Sequence, residues 1–399
     1  MESIIFIIAF VVLFYGFFSK KLEYFNISGP MVFLLYGMLL SPLGLDFLEV
    51  DLNSDALKIT AEIALITVLF TDSSTLDLKS FKKEWKISAR LLFIGLPLTI
   101  LLSTYIATLF FADESLLYLL LMALILAPTD AALGQAVVSD KLVPHKIRSS
   151  INVESGLNDG IVFPLLITVI LLIVSNKELG SDSGWIVYLL KQMSIGFIVG
   201  AVSGYLGAKG LNSALKKSWI KEVYSTLFPV SLAILIFYIA EYLGGNGFIA
   251  VYIAGAIFGN FIESVDANAK NFLESEGEVL LLVSFLVFGL TFVPATIEFW
   301  SMNVIIYSLL SLTLFRMLPV ALSLIALELS WFSRLFIGWF GPRGIASILY
   351  VMTVADSIES IKNHNTIFSV ITLTILLSIV LHGLSAKPLV NLYEKTFKL

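Results

Sequence analysis

A polar hexapeptide at residues 154–159 lies near the start of a long apolar segment. Its members are Glu154, Ser155, Gly156, Leu157, Asn158 and Asp159. Residues four apart share one face of a helix, so the two carboxylates, the hydroxyl and the amide form one polar stripe about a turn long. Polar and ionisable groups inside a membrane span are costly and by default functional. The stripe is therefore the first candidate for a site.

The chemistry that these groups offer is the binding of a small cation. A dehydrated cation needs several oxygen ligands. The carboxylates of Asp159 and Asp130, the hydroxyls of Thr129 and Ser155, and a carbonyl freed by an unwound helix would supply them. Burial favours the protonated form of a carboxyl group, whereas a nearby cation favours the carboxylate. A proton and a metal ion can thus compete for one acid, which is the chemistry of an antiporter.

Two arginines within apolar segments need partners, because arginine does not lose its charge in proteins. We expect Glu154 with Asn158 to pair with Arg343, which makes these three residues structural. Asp159 then remains as the exchanging carboxylate. One proton traded for one cation gives electroneutral exchange. Arg316 is expected to anchor a helix, and the sequence names no partner for it.

The composition places these residues in a membrane. Of 399 residues, 58% are hydrophobic and 14% are charged, and the mean hydropathy is +0.94. Soluble domains are roughly 45–50% apolar and about 25% charged. The absence of cysteine excludes disulfides and thiolate metal sites, and three scattered histidines argue against zinc. We expect a transporter that is not an enzyme and needs no cofactor.

Spanning the hydrocarbon core takes about 20 apolar residues, and we predict thirteen spans. They are 2–18, 25–45, 56–76, 88–111, 115–138, 148–175, 184–208, 221–242, 246–261, 277–298, 301–327, 332–355 and 364–386. Lysine and arginine concentrate in alternate connecting segments, which predicts an external N-terminus and a cytoplasmic C-terminus. The acidic segment 262–278 is an exception to this pattern.

Two predicted spans are interrupted at corresponding positions. The fifth contains Pro128 beside Thr129 and Asp130, and the twelfth contains Pro342 beside Arg343, each followed by small residues. Proline removes a backbone hydrogen bond and disfavours helix before it. By the predicted topology the two spans run in opposite directions. This indicates inverted repeats, spans 1–6 against 8–13, whose discontinuous helices cross at the midplane. Paired interruptions of this kind indicate the binding site of a secondary transporter.

Several segments together resemble the signature motifs of the NhaP-type sodium/proton antiporters, in the cation:proton antiporter superfamily. They are 127–130 (Ala-Pro-Thr-Asp), 154–160 (Glu-Ser-Gly-Leu-Asn-Asp-Gly), 247–250 (Gly-Phe-Ile-Ala), 316–319 (Arg-Met-Leu-Pro), 341–348 (Gly-Pro-Arg-Gly-Ile-Ala-Ser-Ile) and 382–384 (His-Gly-Leu). The resemblance covers essentially the whole chain. It implies an all-helical homodimer in a prokaryotic plasma membrane, with a moving core (87–176 and 301–386) and a dimerisation scaffold (1–86 and 184–298).

The resemblance also implies roles for individual residues. Na⁺, and by extension Li⁺, would bind Asp159, Asp130, Thr129 and Ser155, while Glu154, Asn158 and Arg343 would be structural. The Asn158–Asp159 pair resembles the electroneutral branch, since the electrogenic branch carries two adjacent acids there.

Other readings of the same residues stay open. Asp130 is alternatively a helix cap, and Ser155 is alternatively bonded within its own helix. K⁺/H⁺ exchange on the same fold is an alternative function. A cation channel is disfavoured because no segment resembles a filter loop. An intramembrane aspartyl protease would need two aspartates that share a proton, and the hydroxyl and amide neighbours argue against it.

Overall fold

The computed structural model describes residues 2–46, 55–74, 85–130, 133–138, 140–174, 184–263, 267–357 and 364–397. Over these residues the regular secondary structure is helical. The helices are α1 Glu2–Tyr24, α2 Gly29–Leu40, α3 Asp55–Ser74, α4 Trp85–Phe110, α5 Leu116–Leu126, α6 Gln135–Val138, α7 His145–Val174, α8 Gly184–Lys216, α9 Glu222–Tyr242, α10 Gly247–Phe261, α11 Ala267–Thr296, α12 Met302–Leu312, α13 Leu314–Ser323, α14 Trp331–Trp339, α15 Ile345–Ser357 and α16 Asn365–Phe397.

Each predicted span coincides with a helix or with two helical pieces, and the predicted ends at 76 and 175 lie outside the described residues. By length and composition, seven described helical segments are able to cross a membrane. They are Trp85–Phe110, His145–Val174, Leu190–Lys216, Val223–Tyr242, Leu281–Phe299, Met302–Ser323 and Asn365–Phe397. Four further apolar helices are shorter, among them α2, α5 and α10. The total of thirteen crossings stays a prediction.

One predicted span differs from the sequence-based expectation. The segment 301–327 was expected to be one helix, but α12 ends at Leu312 and α13 begins at Leu314. Thr313 between them leaves the helical region, with φ −107° and ψ −89°. Neither proline nor glycine marks this position, so the interruption carries no local sequence signal.

The helices α2, α3, α8, α9, α10 and α11 pack on one another through small residues. Gly196, Gly200 and Gly204 lie one turn apart on α8, and a Cβ at each would collide with the α10 backbone. This glycine run therefore lets α8 pack closely against α10. Gly37 of α2 and Gly289 of α11 bring those two helices together in the same way.

A second set of helices surrounds the two interrupted segments. It contains α4, α5, α7 and α12 to α16. Buried polar contacts tie its members together: the Tyr307 hydroxyl donates to the Ser103 carbonyl at 2.8 Å, and Arg90 donates to the Ser323 carbonyl at 2.8 Å. Arg90 immediately precedes a π-helical turn, Leu91–Gly95, within α4. The two sets meet where α7 and α15 contact α3, where α7 contacts α10, and where α11 contacts α15 and α16.

Candidate functional site

The two predicted interruptions lie against each other. α5 ends at Leu126 and α14 ends at Trp339, and the chain that follows each helix is irregular. The backbone amide of Asp130 donates to the Pro342 carbonyl at 2.8 Å, and the amide of Ile345 donates to a carboxylate oxygen of Asp130 at 2.8 Å. The two unwound segments thus supply hydrogen-bond partners for each other's backbone groups. Irregular backbone at membrane depth needs such partners.

Asp130 occupies the N-terminal end of α15, whose first residue is Ile345. Helix N-termini carry unpaired amide donors and a partial positive charge, so they stabilise a carboxylate. The cap that the sequence offered as an alternative for Asp130 therefore exists, but it caps the helix after the other break. The carboxylate also lines the cavity described below, so capping and ligation are compatible here.

Gly344 makes this close approach possible. A Cβ atom at this position would overlap the Asp130 carboxylate, and a Cβ at Gly341 would lie 2.6 Å from Nε of Arg316 and 2.9 Å from Cγ2 of Thr129. The two glycines around Pro342 are therefore required by space at the crossing.

The polar stripe of α7 faces the first break. Ser155 donates from its hydroxyl to the Thr129 carbonyl at 2.5 Å, and Asn158 donates from its amide to the Thr129 hydroxyl at 2.8 Å. The Ser155 hydroxyl therefore donates to the neighbouring segment rather than to a carbonyl of its own helix. The carbonyl of Asp159 accepts from the Tyr350 hydroxyl at 3.2 Å, which joins the stripe to α15.

All four predicted ion ligands line one cavity. Its walls include Thr129, Asp130, Ser155 and Asp159, together with Asn152, Gly156 and the first residues of α15. Leu65, Val68 and Leu69 of α3 close the apolar side, so the cavity lies between the two sets of helices. Oxygen atoms of two carboxylates and two hydroxyl-bearing residues thus converge at one place, as a hard cation requires. Their role as ligands stays a prediction.

The charge pairing differs from the sequence-based expectation. Glu154 was expected to pair with Arg343, but it forms a buried ion pair with Arg316, with nitrogen and oxygen 2.6 Å apart and both side chains 1% exposed. Asn158, expected to brace Arg343, instead contacts Thr129. The correction also supplies the partner that the sequence did not name for Arg316. α13 begins after the unexpected interruption at Thr313, and its first turn carries Arg316 toward α7.

Arg343 lies in the second break itself and is 1% exposed. Its guanidinium donates to the Gly341 carbonyl, and its backbone amide donates to the Ser378 hydroxyl at 2.6 Å. It remains close enough to Glu154 and Arg316 to interact with both electrostatically. Glu154 therefore interacts with two guanidinium groups, that of Arg316 in direct contact and that of Arg343 at longer range.

Sequence reasoning assigned no role to two residues of α16 that support the second break. The ring nitrogen Nε2 of His382 lies 2.8 Å from the Trp339 carbonyl, and its Nδ1 lies 3.2 Å from the Ser378 hydroxyl. The sequence signal for this pair was the spacing of Ser378 and His382, which lie four residues apart in an apolar helix and therefore share one face. The motif beginning at His382 was noticed for its resemblance alone.

Comparison with known proteins agrees with this geometry. The family model for the transmembrane region of sodium/hydrogen exchangers matches residues 6–392. A K⁺/H⁺ antiporter, NhaP of Alkalimonas amylolytica, is 26% identical over 360 residues, which are 90% of this chain and 61% of that protein. A Na⁺/H⁺ antiporter of Schizosaccharomyces pombe is 29% identical over 301 residues, 68% of this chain and 64% of that protein.

This chain therefore spans about three fifths of the length of the curated relatives it matches. Its fold matches the solved structure of the sodium proton antiporter MjNhaP1 from Methanocaldococcus jannaschii, with a TM-score of 0.81 and 22% identity over 98% of this chain and 99% of that one. The expected all-helical antiporter fold is thus confirmed. Because the family model matches nearly its entire length, the chain belongs to the transmembrane sodium/hydrogen exchanger family.

Proposed function

We propose that this protein is a secondary antiporter that exchanges Na⁺ or Li⁺ for H⁺ across a membrane. The observation that carries the proposal is the cavity at the helix crossing, where Asp130, Asp159, Thr129 and Ser155 converge. Membership of an exchanger family and relatives named as cation/proton antiporters support it. Neither step of the exchange requires a cofactor, since the transported ions are themselves the substrates.

Asp159 is the carboxylate we assign to the exchange. Asp130 is 7% exposed and is held by the Ile345 amide at a helix N-terminus, which favours its charged form. Asp159 is less deeply buried and lies in the same cavity. A proton or a cation at Asp159 removes the cost of an uncompensated buried charge, so the two compete for one position.

The charges around the crossing support one-for-one exchange. Asp130, Asp159 and Glu154 contribute three carboxylates, while Arg316 and Arg343 contribute two guanidinium groups. With all five charged, the cluster carries one net negative charge, which one proton or one monovalent cation neutralises. Net charge in the loaded core is then zero in both directions of the cycle. We therefore expect an exchange rate that does not respond to an imposed membrane potential.

Alternating access would follow from movement of the core, 87–176 and 301–386, against a scaffold of 1–86 and 184–298. The cavity supports this, because its wall combines α3 with α7 and α15. We further propose a homodimer in a prokaryotic plasma membrane with an external N-terminus. The distribution of lysine and arginine among the connecting segments supports that orientation.

The test is ion-driven proton movement in proteoliposomes that contain a pH-sensitive dye. Added Na⁺ or Li⁺ should dissipate an imposed proton gradient, and Asp159→Asn should reduce this to the rate of empty vesicles because the amide does not exchange a proton. Glu298→Gln, an exposed carboxylate far from the site in sequence, is the matched control and should retain the parent rate. Undiminished exchange by Asp159→Asn would refute the assignment of this residue.

K⁺/H⁺ exchange is the second candidate, because several relatives are named K⁺/H⁺ antiporters, among them NhaP of Alkalimonas amylolytica and NhaP2 of Shewanella species. The same vesicles distinguish the two when Na⁺, Li⁺ and K⁺ are added separately. A response to K⁺ that exceeds the response to Na⁺ would favour the alternative, while the site would stay as assigned.

A further inference from the structure

The second break has a backbone group at each end that helix bonds leave open to a neighbouring side chain. α14 ends at Trp339, whose carbonyl accepts from the Gly341 amide at 2.8 Å and has a second lone pair available. Arg343 precedes α15, so its amide has no intrahelical partner. Arg343 is 1% exposed and Trp339 is partly buried, and an unpaired backbone amide in such a place is costly. The Arg343 amide therefore needs an acceptor, and the Trp339 carbonyl can accept a second donor.

Two side chains of α16 satisfy both ends. The Arg343 amide donates to the Ser378 hydroxyl oxygen at 2.6 Å, and Nε2 of His382 lies 2.8 Å from the Trp339 carbonyl. The Ser378 hydroxyl in turn lies 3.2 Å from Nδ1 of His382. Ser378 and His382 are 0% and 2% exposed. One hydrogen-bonded chain thus runs from Arg343 through α16 to Trp339.

The partners determine the protonation of His382. The Trp339 carbonyl only accepts, so Nε2 must carry a hydrogen. The Ser378 oxygen accepts from Arg343, so its hydroxyl hydrogen is available to Nδ1. A neutral ring with hydrogen on Nε2 therefore fits the contacts to the Trp339 carbonyl and the Ser378 hydroxyl. The Ser378 carbonyl lies 2.9 Å from Nδ1 and would accept from a protonated ring.

The surrounding charges oppose that second proton. Arg343 and Arg316 both act on His382 electrostatically, and Glu154, the nearby acid, already pairs with Arg316. The Trp339 ring stacks on the imidazole, with ring centroids 4.8 Å apart. A third positive charge in this buried group would be costly. The neutral ring is therefore the state that the site stabilises.

We propose that neutral His382 is a positioning residue for the exchange reaction, which holds the Trp339 end of the second break directly and the Arg343 end through Ser378. The break presents the Pro342 carbonyl and the Ile345 amide, and these two groups hold Asp130. The inference rests on the proposed function, because its transport effect is exerted on a cation ligand. His382 itself lies outside the cavity wall and does not contact the cation.

The transport test compares three variants with a matched control. His382→Phe keeps the ring against Trp339 but removes both nitrogens, Ser378→Ala removes the hydroxyl, and the third variant combines the two. Each single change should raise the apparent KM for Na⁺ about three- to tenfold, the effect of one lost hydrogen bond. The double variant should have an apparent KM no higher than that of the poorer single variant, because either substitution alone already breaks the hydrogen-bonded chain. His145→Phe, an exposed histidine, should match the parent.

Additive effects of the two substitutions, or an unchanged apparent KM in both, would overturn the proposal. His382→Gln restores one donor and should recover part of the affinity. Size-exclusion profiles identify any variant that fails to fold. Where one fails, His382→Gln and Ser378→Ala carry the comparison.

A second readout does not depend on transport. The chain has three histidines, so ¹⁵N-histidine spectra contain three ring systems, and His382→Phe identifies one of them. Its resonances should show the Nε2–H tautomer without titration between about pH 6 and about pH 8.5, a range in which an ordinary histidine titrates. A titrating or doubly protonated ring would refute the assignment. An inactive parent protein would instead refute the proposed function and leave the tautomer result standing.

Discussion

At the scale of single residues, two neighbouring carboxylates differ in what holds them. Asp130 receives the Ile345 amide at the start of α15, and Asp159 lies opposite on α7 with its backbone carbonyl bonded to Tyr350. A carboxylate at a helix N-terminus is stabilised in its charged form by up to about 2 kcal/mol in partly buried geometries. This difference is the physical basis for assigning the proton exchange to Asp159.

The buried ion pair of Glu154 and Arg316 makes a stability prediction with an internal comparison. Glu154→Gln leaves Arg316 and Arg343 without a facing acid, whereas Arg316→Gln leaves Glu154 able to turn to Arg343. Removing one partner of a buried pair costs about 3–5 kcal/mol. We therefore expect Glu154→Gln to lower the unfolding temperature in detergent more than Arg316→Gln does.

The double variant Glu154→Gln with Arg316→Gln should fall between the two single ones, since it leaves a single unpaired cation. A larger loss for Arg316→Gln than for Glu154→Gln would contradict this ordering. Glu298→Gln is again the surface control and should change the unfolding temperature little.

At the scale of elements, the site is made by two interrupted segments that satisfy each other. The Ser347 hydroxyl donates to the Ile125 carbonyl at 2.7 Å, which ties α15 to the last turn of α5. With the Asp130–Pro342 and Ile345–Asp130 bonds, this fixes the crossing at three points. A small displacement of either segment therefore moves a cation ligand.

Gly344→Ala tests how tightly the crossing is packed. The added Cβ would overlap the Asp130 carboxylate, which cannot withdraw without losing the Ile345 amide. We expect at least a tenfold loss of exchange, about 1.4 kcal/mol or more. Gly210→Ala on α8 adds the same group where no atom lies within 4 Å and should leave exchange unchanged. Equal activity of both variants in proteoliposomes would show that the crossing tolerates the displacement.

At the scale of the whole molecule, the cavity lies between two sets of helices that meet through aromatic side chains. Phe163 of α7 contacts Phe248 of α10, with ring centroids 4.5 Å apart. Phe248 also contacts Phe237 of α9, at 4.7 Å, within the predicted scaffold. The first contact would have to slide during a cycle of alternating access, and the second would not.

Cross-linking can separate these two contacts, because the chain has no native cysteine. Phe163→Cys with Phe248→Cys, joined by a short thiol-reactive linker, should abolish exchange by holding core and scaffold together. Cleaving a reducible linker should restore it. The control pair, Phe237→Cys with Phe248→Cys, should cross-link without loss of exchange. Full activity of the first pair while linked would contradict relative movement of these helices.

Much of the fold was predictable from sequence because hydrophobicity, proline and charge act locally. The helices coincide with the predicted spans, and both breaks occur at Pro128 and Pro342 as expected. The kink at Thr313 was missed because it has no proline or glycine signal. The four predicted ligands converge on one cavity, which helical spacing and the paired breaks made predictable.

Residue types alone show which side chains are too polar for a membrane and are therefore candidates for the site. How these side chains pair depends on the packing of the helices. Glu154 is bound to Arg316 rather than Arg343, across 162 positions of sequence, and Asp130 caps a helix that begins 215 residues later. A guanidinium group, or a free amide at the start of a helix, bonds whichever acceptor lies within reach in the folded protein. Which acceptor that is depends on how α7, α13 and α15 pack, which no local pattern of residues encodes.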